Sequence, residues 1–262
     1  MGKIIAVANQ KGGVGKTTTS VNLAASLAAA RHRVLLVDLD PQGNATMGCG
    51  INKKTLTISA YDVLAGHAEA RQAIIALPEV GPDLLPGNGD LTAVQVDLMR
   101  QPNRERVLAA ALTLCREDYQ YIVIDCPPSL NILTLNALVA ADSVLIPVQC
   151  EYYALEGLSD LMETVRNVRA SVNPDLHIEG LLRTMHDTRS RLAIEVSRQL
   201  LDHFGDQVFR TVIPRNIRLA EAPSHGLPAV KYDKSSRGAI AYLALAGEIV
   251  RRNQKSKAKT AA

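Results

Sequence analysis

The stretch Lys11-Gly12-Gly13-Val14-Gly15-Lys16-Thr17-Thr18 is the part of the chain best equipped for chemistry. Glycines let successive backbone N–H groups turn inward, and such a concavity holds phosphate oxygens. At this spacing Lys16 reaches the β- and γ-phosphates of a nucleotide, and the Thr17 hydroxyl holds Mg2+. A helix opening here adds the positive end of its dipole. The plain alternative is a glycine-rich turn with an incidental lysine. The spacing, with an apolar run before the loop and a helical pattern after it, argues against that. The loop departs from the common GxxxxGK[ST] form: the usual first glycine is missing and Lys11 lies inside. Two like charges so close, Lys11 and Lys16, are relieved by an anion.

Two acidic segments complete the candidate site. Asp38-Leu39-Asp40-Pro41-Gln42-Gly43-Asn44 follows a buried-strand pattern, and carboxylates at that end of a parallel strand lie where ligands bind. Asp40 there can orient a water for attack on a γ-phosphate, or it is simply a turn-forming Asp before Pro. Tyr121–Asp125 is an apolar strand ending in Asp, followed by Cys126-Pro127-Pro128-Ser129, with Asp125 supporting Mg2+ through water. Thr17, Asp40 and Asp125 are the candidate metal residues. Lys11, Lys16, Asp40 and Asp125 are the candidate catalytic ones.

The elements that must position these groups read as alternating strands and helices. Strands are expected at Lys3–Ala8, Arg33–Asp38, Pro82–Pro86, Tyr121–Asp125, Ser143–Val148, His177–Thr184 and Val208–Ile213. Helices are expected over Thr17–Ala30, Asn131–Ala140, Leu155–Ser171, Leu192–Phe204 and about Gly238–Arg252. Pro41–Asn52 reads as a loop, and residues 55–118 as short helices around the third strand. The fold class is α/β: one doubly wound, mostly parallel sheet of about seven or eight strands flanked by helices. Residues 1–250 form one P-loop ATPase domain, and 251–262 a basic, flexible tail. The chain is 47% apolar with no Trp and two Phe, so aliphatic residues must fill the core. That composition excludes a disordered chain. Cys49, Cys115, Cys126 and Cys150 show no metal-ligand spacing and read as buried reduced thiols. No apolar run approaches the ~20 residues of a membrane span.

From these motifs the chain resembles the ParA/Soj family of partition ATPases, in the deviant Walker A group that also holds MinD. KGGVGKTT carries the resemblance, together with DLDPQGNAT (switch I), DCPPSL (switch II), Pro147–Gly157 and Ile213–Gly226. It covers Lys3 to about Val250. The resemblance implies an ATP- and Mg2+-dependent homodimer in which Lys11 reaches the other subunit's ATP, with Lys11 and Gly12 at the interface. Asp40 matches the family's hydrolytic aspartate. Pro214 and Asn216 match its adenine contacts; an Asn amide both donates and accepts, as an adenine edge requires. Asn216 also reads as a helix N-cap. Arg189 and Arg218 match DNA-binding arginines. A ParB-like centromere-binding protein is the implied activator, and a replication initiator a further partner.

Net charge is +3, and five basic residues after Val250 account for it, so a DNA surface must come from local clustering. Arg183–Arg237 holds ten Lys/Arg against six Asp/Glu, including Arg215, Lys231, Lys234 and Arg237. Basic loops of this kind neutralise phosphates without reading bases. An ordinary solvated face is the bland reading. The end RRNQKSKAKTAA has no large apolar residue, so no membrane-docking helix is expected. The start offers no helix-turn-helix for site-specific DNA. A cytoplasmic, nucleoid-associated protein that segregates chromosomes or plasmids is expected. The alternatives are a related ATPase positioning another cargo, and a P-loop kinase or amide-forming synthetase acting on a small substrate.

Overall fold

A computed structural model describes residues 2–99, 101–152 and 154–260. Among them seven strands form one parallel sheet: β1 (Lys3–Val7), β2 (Val34–Asp38), β3 (Asp83–Leu85), β4 (Tyr121–Asp125), β5 (Ser143–Gln149), β6 (His177–His186) and β7 (Val208–Pro214). Their order is β3-β2-β4-β1-β5-β6-β7. A single antiparallel bridge, Ile75 to Leu84, adds to the β3 edge.

The apolar strands are buried because helices cover both faces, and alternate residues serve opposite sides. Ile4, Ala6, Leu35, Val37, Ile122 and Ile124 point into one core. Ile5, Val7, Leu36, Val123 and Leu145 point into the other. Against this second core lie the first helix, Lys16–Ala29, and the last, Arg237–Thr260, which share Leu23, Leu27, Tyr242, Leu245 and Ile249. The Tyr242 hydroxyl lies 3.1 Å from Thr19 Oγ1, tying the last helix to the one that carries the phosphate loop. Truncating a fully buried leucine such as Leu27 in a core of this kind costs about 2–5 kcal/mol.

Strand register decides what the sheet can present. Val7 pairs with Asp125, and Asp125 with Asp38, so β1, β2 and β4 end level. The phosphate loop and both acidic segments therefore emerge side by side at the C-terminal edge, where open α/β sheets bind ligands.

Two expectations need correction. Pro41–Asn52 is not all loop: a short helix, Asn44–Gly48, starts after Gly43, whose φ of 58° is left-handed. The last helix runs to Thr260, beyond the expected Arg252, so residues 251–260 continue it. Arg252 donates to the carbonyls of Asp206 and Val208 and to Glu248. Ala261 and Ala262 of the expected tail, and Tyr153 of the Pro147–Gly157 segment, lie outside the described residues. No described helix is long and apolar enough to cross a membrane.

Candidate functional site

The loop after β1 is held from both sides. Asn9 Nδ2 donates to the Pro147 carbonyl at 2.7 Å, while its Oδ1 accepts from the Lys11 N–H at 2.9 Å. Thr184 Oγ1 donates to the Val14 carbonyl at 2.8 Å. Gly13 and Gly15 take φ of 73° and 86°, a conformation that costs glycine nothing and other residues strain. The Lys16–Ala29 helix starts at Gly15 with no side-chain cap, so its first N–H groups are left for a ligand. A Cβ on Gly12 or Gly13 would meet nothing within 4 Å, which leaves the mouth of the loop open.

The two lysines have parted. Lys16 is buried, and its ammonium donates to the Lys11 carbonyl at 3.1 Å. Burial pushes its pKa down, against the pull of Asp125, Cys126 and Asp40. One donated bond leaves donor capacity on a desolvated cation, the state that phosphate oxygens satisfy. The Lys11 ammonium turns outward to Glu151 Oε2, 3.0 Å away, both side chains being partly exposed. Gln149 holds the other oxygen of that carboxylate.

Three aspartates line the neighbouring strand ends. Asp38 is fully buried and saturated: Oδ2 accepts from Thr46 N–H at 2.8 Å and Thr46 Oγ1 at 2.7 Å, and Oδ1 from Asp40 N–H at 3.2 Å. It fixes the chain after β2 and explains the Asn44–Gly48 helix. Asp40 is buried too, its Oδ1 accepting from Gln42 N–H at 2.9 Å. Asp125 accepts from Ser20 Oγ at 2.8 Å through Oδ1, while its buried Oδ2 has no partner. Burial and then the Asp38 charge push the Asp125 carboxyl well above the usual range, with Ser20 and Thr17 beside it pulling the other way. A lone buried carboxylate oxygen next to a hydroxyl suits Mg2+, which takes few protein ligands and completes its shell with water and phosphate oxygens. No group of three His, Cys, Asp or Glu that could by itself hold a metal ion is found among the described residues.

Asn216 begins the Ile217–Glu221 helix, but its side chain makes no cap bond, and Oδ1 is buried without a partner. The capping role is therefore not taken up, and the amide is left for another group. Pro214 ends β7 and lines a cleft of about 930 Å³ with Arg189, Arg215 and Arg237. Arg218 lies outside that lining, ion-paired to Glu221 at 2.8 Å and Asp233 at 3.3 Å. Lys231 and Lys234 are exposed nearby in sequence. Arg183 departs from the expected surface: it is buried, donating to Ser197 Oγ and the Phe209 carbonyl. All four cysteines are free and buried.

Sequence reasoning missed Asn9, Ser20, Asp38, Thr184 and Glu151. Asp38 had a signal, since it stands two residues before Asp40 at a strand end. The others depend on contacts across the fold.

A family model described as an AAA domain matches residues 2–178. The sporulation initiation inhibitor protein Soj of Bacillus subtilis is 55% identical over 249 residues, 95% of this chain and 98% of that protein. The chromosome partitioning protein ParA of Caulobacter vibrioides is 48% identical over 261 residues, 99% and 98% of the two chains. A solved structure of cobyrinic acid a,c-diamide synthase from Mycobacterium smegmatis, with bound ATP analogue and magnesium, superposes with a TM-score of 0.86 at 38% identity, covering 98% of this chain and 97% of that one.

Proposed function

Because the chain belongs to the ParA/Soj family of chromosome-partitioning ATPases, we propose that it is an ATP-dependent dimer switch that binds DNA without sequence preference. ATP joins two copies and brings their basic faces together on DNA, so phosphate contacts double and affinity rises steeply. Hydrolysis, stimulated by a ParB-like centromere-binding protein, lets the pair part.

The loop amides and Lys16 hold the β- and γ-phosphates. Thr17 and the free oxygen of Asp125 would hold Mg2+, which neutralises phosphate charge when bound. Asp40 orients the attacking water, and Asp38 keeps Asp40 in place through its backbone N–H. Asn216, its amide oxygen unspent, meets the adenine edge beside Pro214. Slow turnover without a partner follows, since a second protein must complete the water's geometry.

The observation that carries this reading is the division between the lysines: Lys16 turned into the loop, Lys11 turned out of it. An ammonium on the outer rim, released from Glu151, supports a reach to a second subunit's phosphates. The test uses Gly12→Val in an Asp40→Ala background, weighed by sedimentation equilibrium with ATP. A valine at position 12 has room within its own chain, since a Cβ there meets nothing within 4 Å and φ is not left-handed. Asp40→Ala alone should be a dimer, and the double variant an ATP-binding monomer. A dimer in both, or a monomer in both with ATP bound, sinks the switch.

A second reading has one observation behind it, the 38% identity to a chain named as a diamide synthase. An amide-forming synthetase spends ATP on activating a small carboxylic acid. Phosphate release that rises with cobyrinic acid and glutamine, and ignores duplex DNA and the partner protein, would favour it.

A further inference from the structure

Two of the exposed arginines that the DNA reading depends on, Arg189 and Arg218, already have anionic partners. Arg189 forks onto Asp187, Nε to Oδ1 at 2.9 Å and Nη2 to Oδ2 at 2.8 Å, and its backbone N–H donates to Oδ1 at 3.0 Å. A guanidinium grips a phosphate with the same fork. Asp187 also lies in the cleft that Arg215 and Arg237 line with Arg189. Neither Arg215 nor Arg237 forms an ion pair among the described residues. Arg189, foremost, and Arg215 behind it hold the Asp187 carboxyl well below the usual carboxylate range. One carboxylate of the chain itself thus lines the same cleft as three arginines and is held by one of them. The pair is superficial, with the Arg189 side chain 88% exposed, so salt screens it and a polyanion can displace the carboxylate.

We infer that Asp187 is an internal stand-in for a DNA phosphate, occupying Arg189 at the wall of the three-arginine cleft in the free chain and giving way when duplex DNA binds. The inference rests on the DNA-binding reading above and adds its regulation. By occupying Arg189, Asp187 lowers the affinity of a single face and makes binding depend on two faces joined. Arg218, held by Glu221 and Asp233, follows the same pattern outside the cleft.

The test is the affinity of the ATP-bound dimer for mixed-sequence duplex DNA, by fluorescence anisotropy across a salt series, for Asp187→Asn and Asp187→Glu. Asp187→Asn should bind about tenfold more tightly at low salt. Its plot of log affinity against log salt should keep the parent's slope to within about 0.9, since the same phosphates are met once the carboxylate has given way. Asp187→Glu keeps the charge and should stay near the parent, which separates charge from a folding defect. Unchanged or weaker DNA binding in Asp187→Asn, while Arg189→Glu still abolishes it, overturns the stand-in and leaves the DNA reading intact. Tighter binding of orthophosphate without tighter binding of DNA overturns it too, since the cleft then serves a free anion. Intact DNA affinity in both Arg189→Glu and Arg218→Glu removes the DNA reading and the inference with it.

Discussion

The nucleotide cradle and the basic face are both built of charged side chains, yet they hold them in opposite ways. In the cradle Lys16, Asp38, Asp40 and Asp125 are all buried, and strand register sets the spacing of Asp38 and Asp125. On the basic face Arg189 and Arg218 are exposed, each paired with carboxylates of the same surface, Arg189 to Asp187 two residues away. Desolvated groups must be matched or they cost stability, and the cradle's two under-partnered groups, the Lys16 ammonium and Asp125 Oδ2, suit a phosphate oxygen and a cation. Exposed pairs carry no such penalty, and their exchange of partners is governed by salt and local concentration. On the proposed reading the cradle acts by fixed geometry and the face by competition.

The largest expected effect breaks the cradle. Lys16→Ala removes the buried cation proposed to meet the γ-phosphate and should lower ATP turnover by about 10²–10³-fold, read as phosphate release. Unchanged turnover would mean that the buried charge belongs to the fold and not to a ligand, and the contrast between the regions would lose its basis. The double variant Arg189→Glu with Arg218→Glu tests the other side. DNA affinity should fall below detection at physiological salt, while ATP still yields a dimer on a sizing column. For the single neutral variants the salt slope should drop by about 0.9 for every DNA phosphate left without its arginine. A uniform loss of both DNA binding and dimer formation would show that the face is not independent of the cradle.

How far the sequence discloses each region follows from where its contacts lie along the chain. Gly12–Thr18 is contiguous, so spacing alone identified the loop, and Asp125 stands at the end of an unbroken apolar strand. The supports of that loop are remote: Ser20 reaches Asp125 across 105 residues, and Thr184 reaches Val14 across 170. Such bonds exist only once β4 and β6 have taken their places in the sheet. The Asn44–Gly48 helix was hidden for a related reason. Its five residues carry no periodicity, and it is set by Thr46 donating to the buried Asp38. Burial of Arg183 escaped notice because charge counting treats every arginine as surface, whereas its strand is covered. Strands such as β1, β2 and β4 were legible because they are short, apolar and bounded by turn residues, whereas β6, with Glu179 and Arg183 inside it, runs two residues past the expected Thr184.

The smallest expected effect sharpens the comparison through pH. Asp38 and Asp125 are neighbours on β2 and β4, and burial raises the pKa of each, with the Asp38 charge adding to Asp125. A carboxyl with a raised folded-state pKa keeps its proton longer in the native chain than in the unfolded one. The native state then binds more protons between the ordinary carboxylate range and the raised value, so stability falls as pH rises through that window. Asp187 has the opposite sign. Its lowered pKa gives stability above the ordinary range that is lost only in acid, and exposure screens it heavily. Without nucleotide, the melting temperature should therefore decline by a few degrees as pH rises from mildly acid to mildly alkaline. Asp125→Asn should flatten that decline, because the amide cannot titrate, and Asp187→Asn should leave it in place. Equal slopes in the parent and Asp125→Asn would assign the dependence to groups outside the cradle. A slope abolished by Asp187→Asn would reverse the contrast between a buried site under electrostatic tension and an exposed one that is free of it.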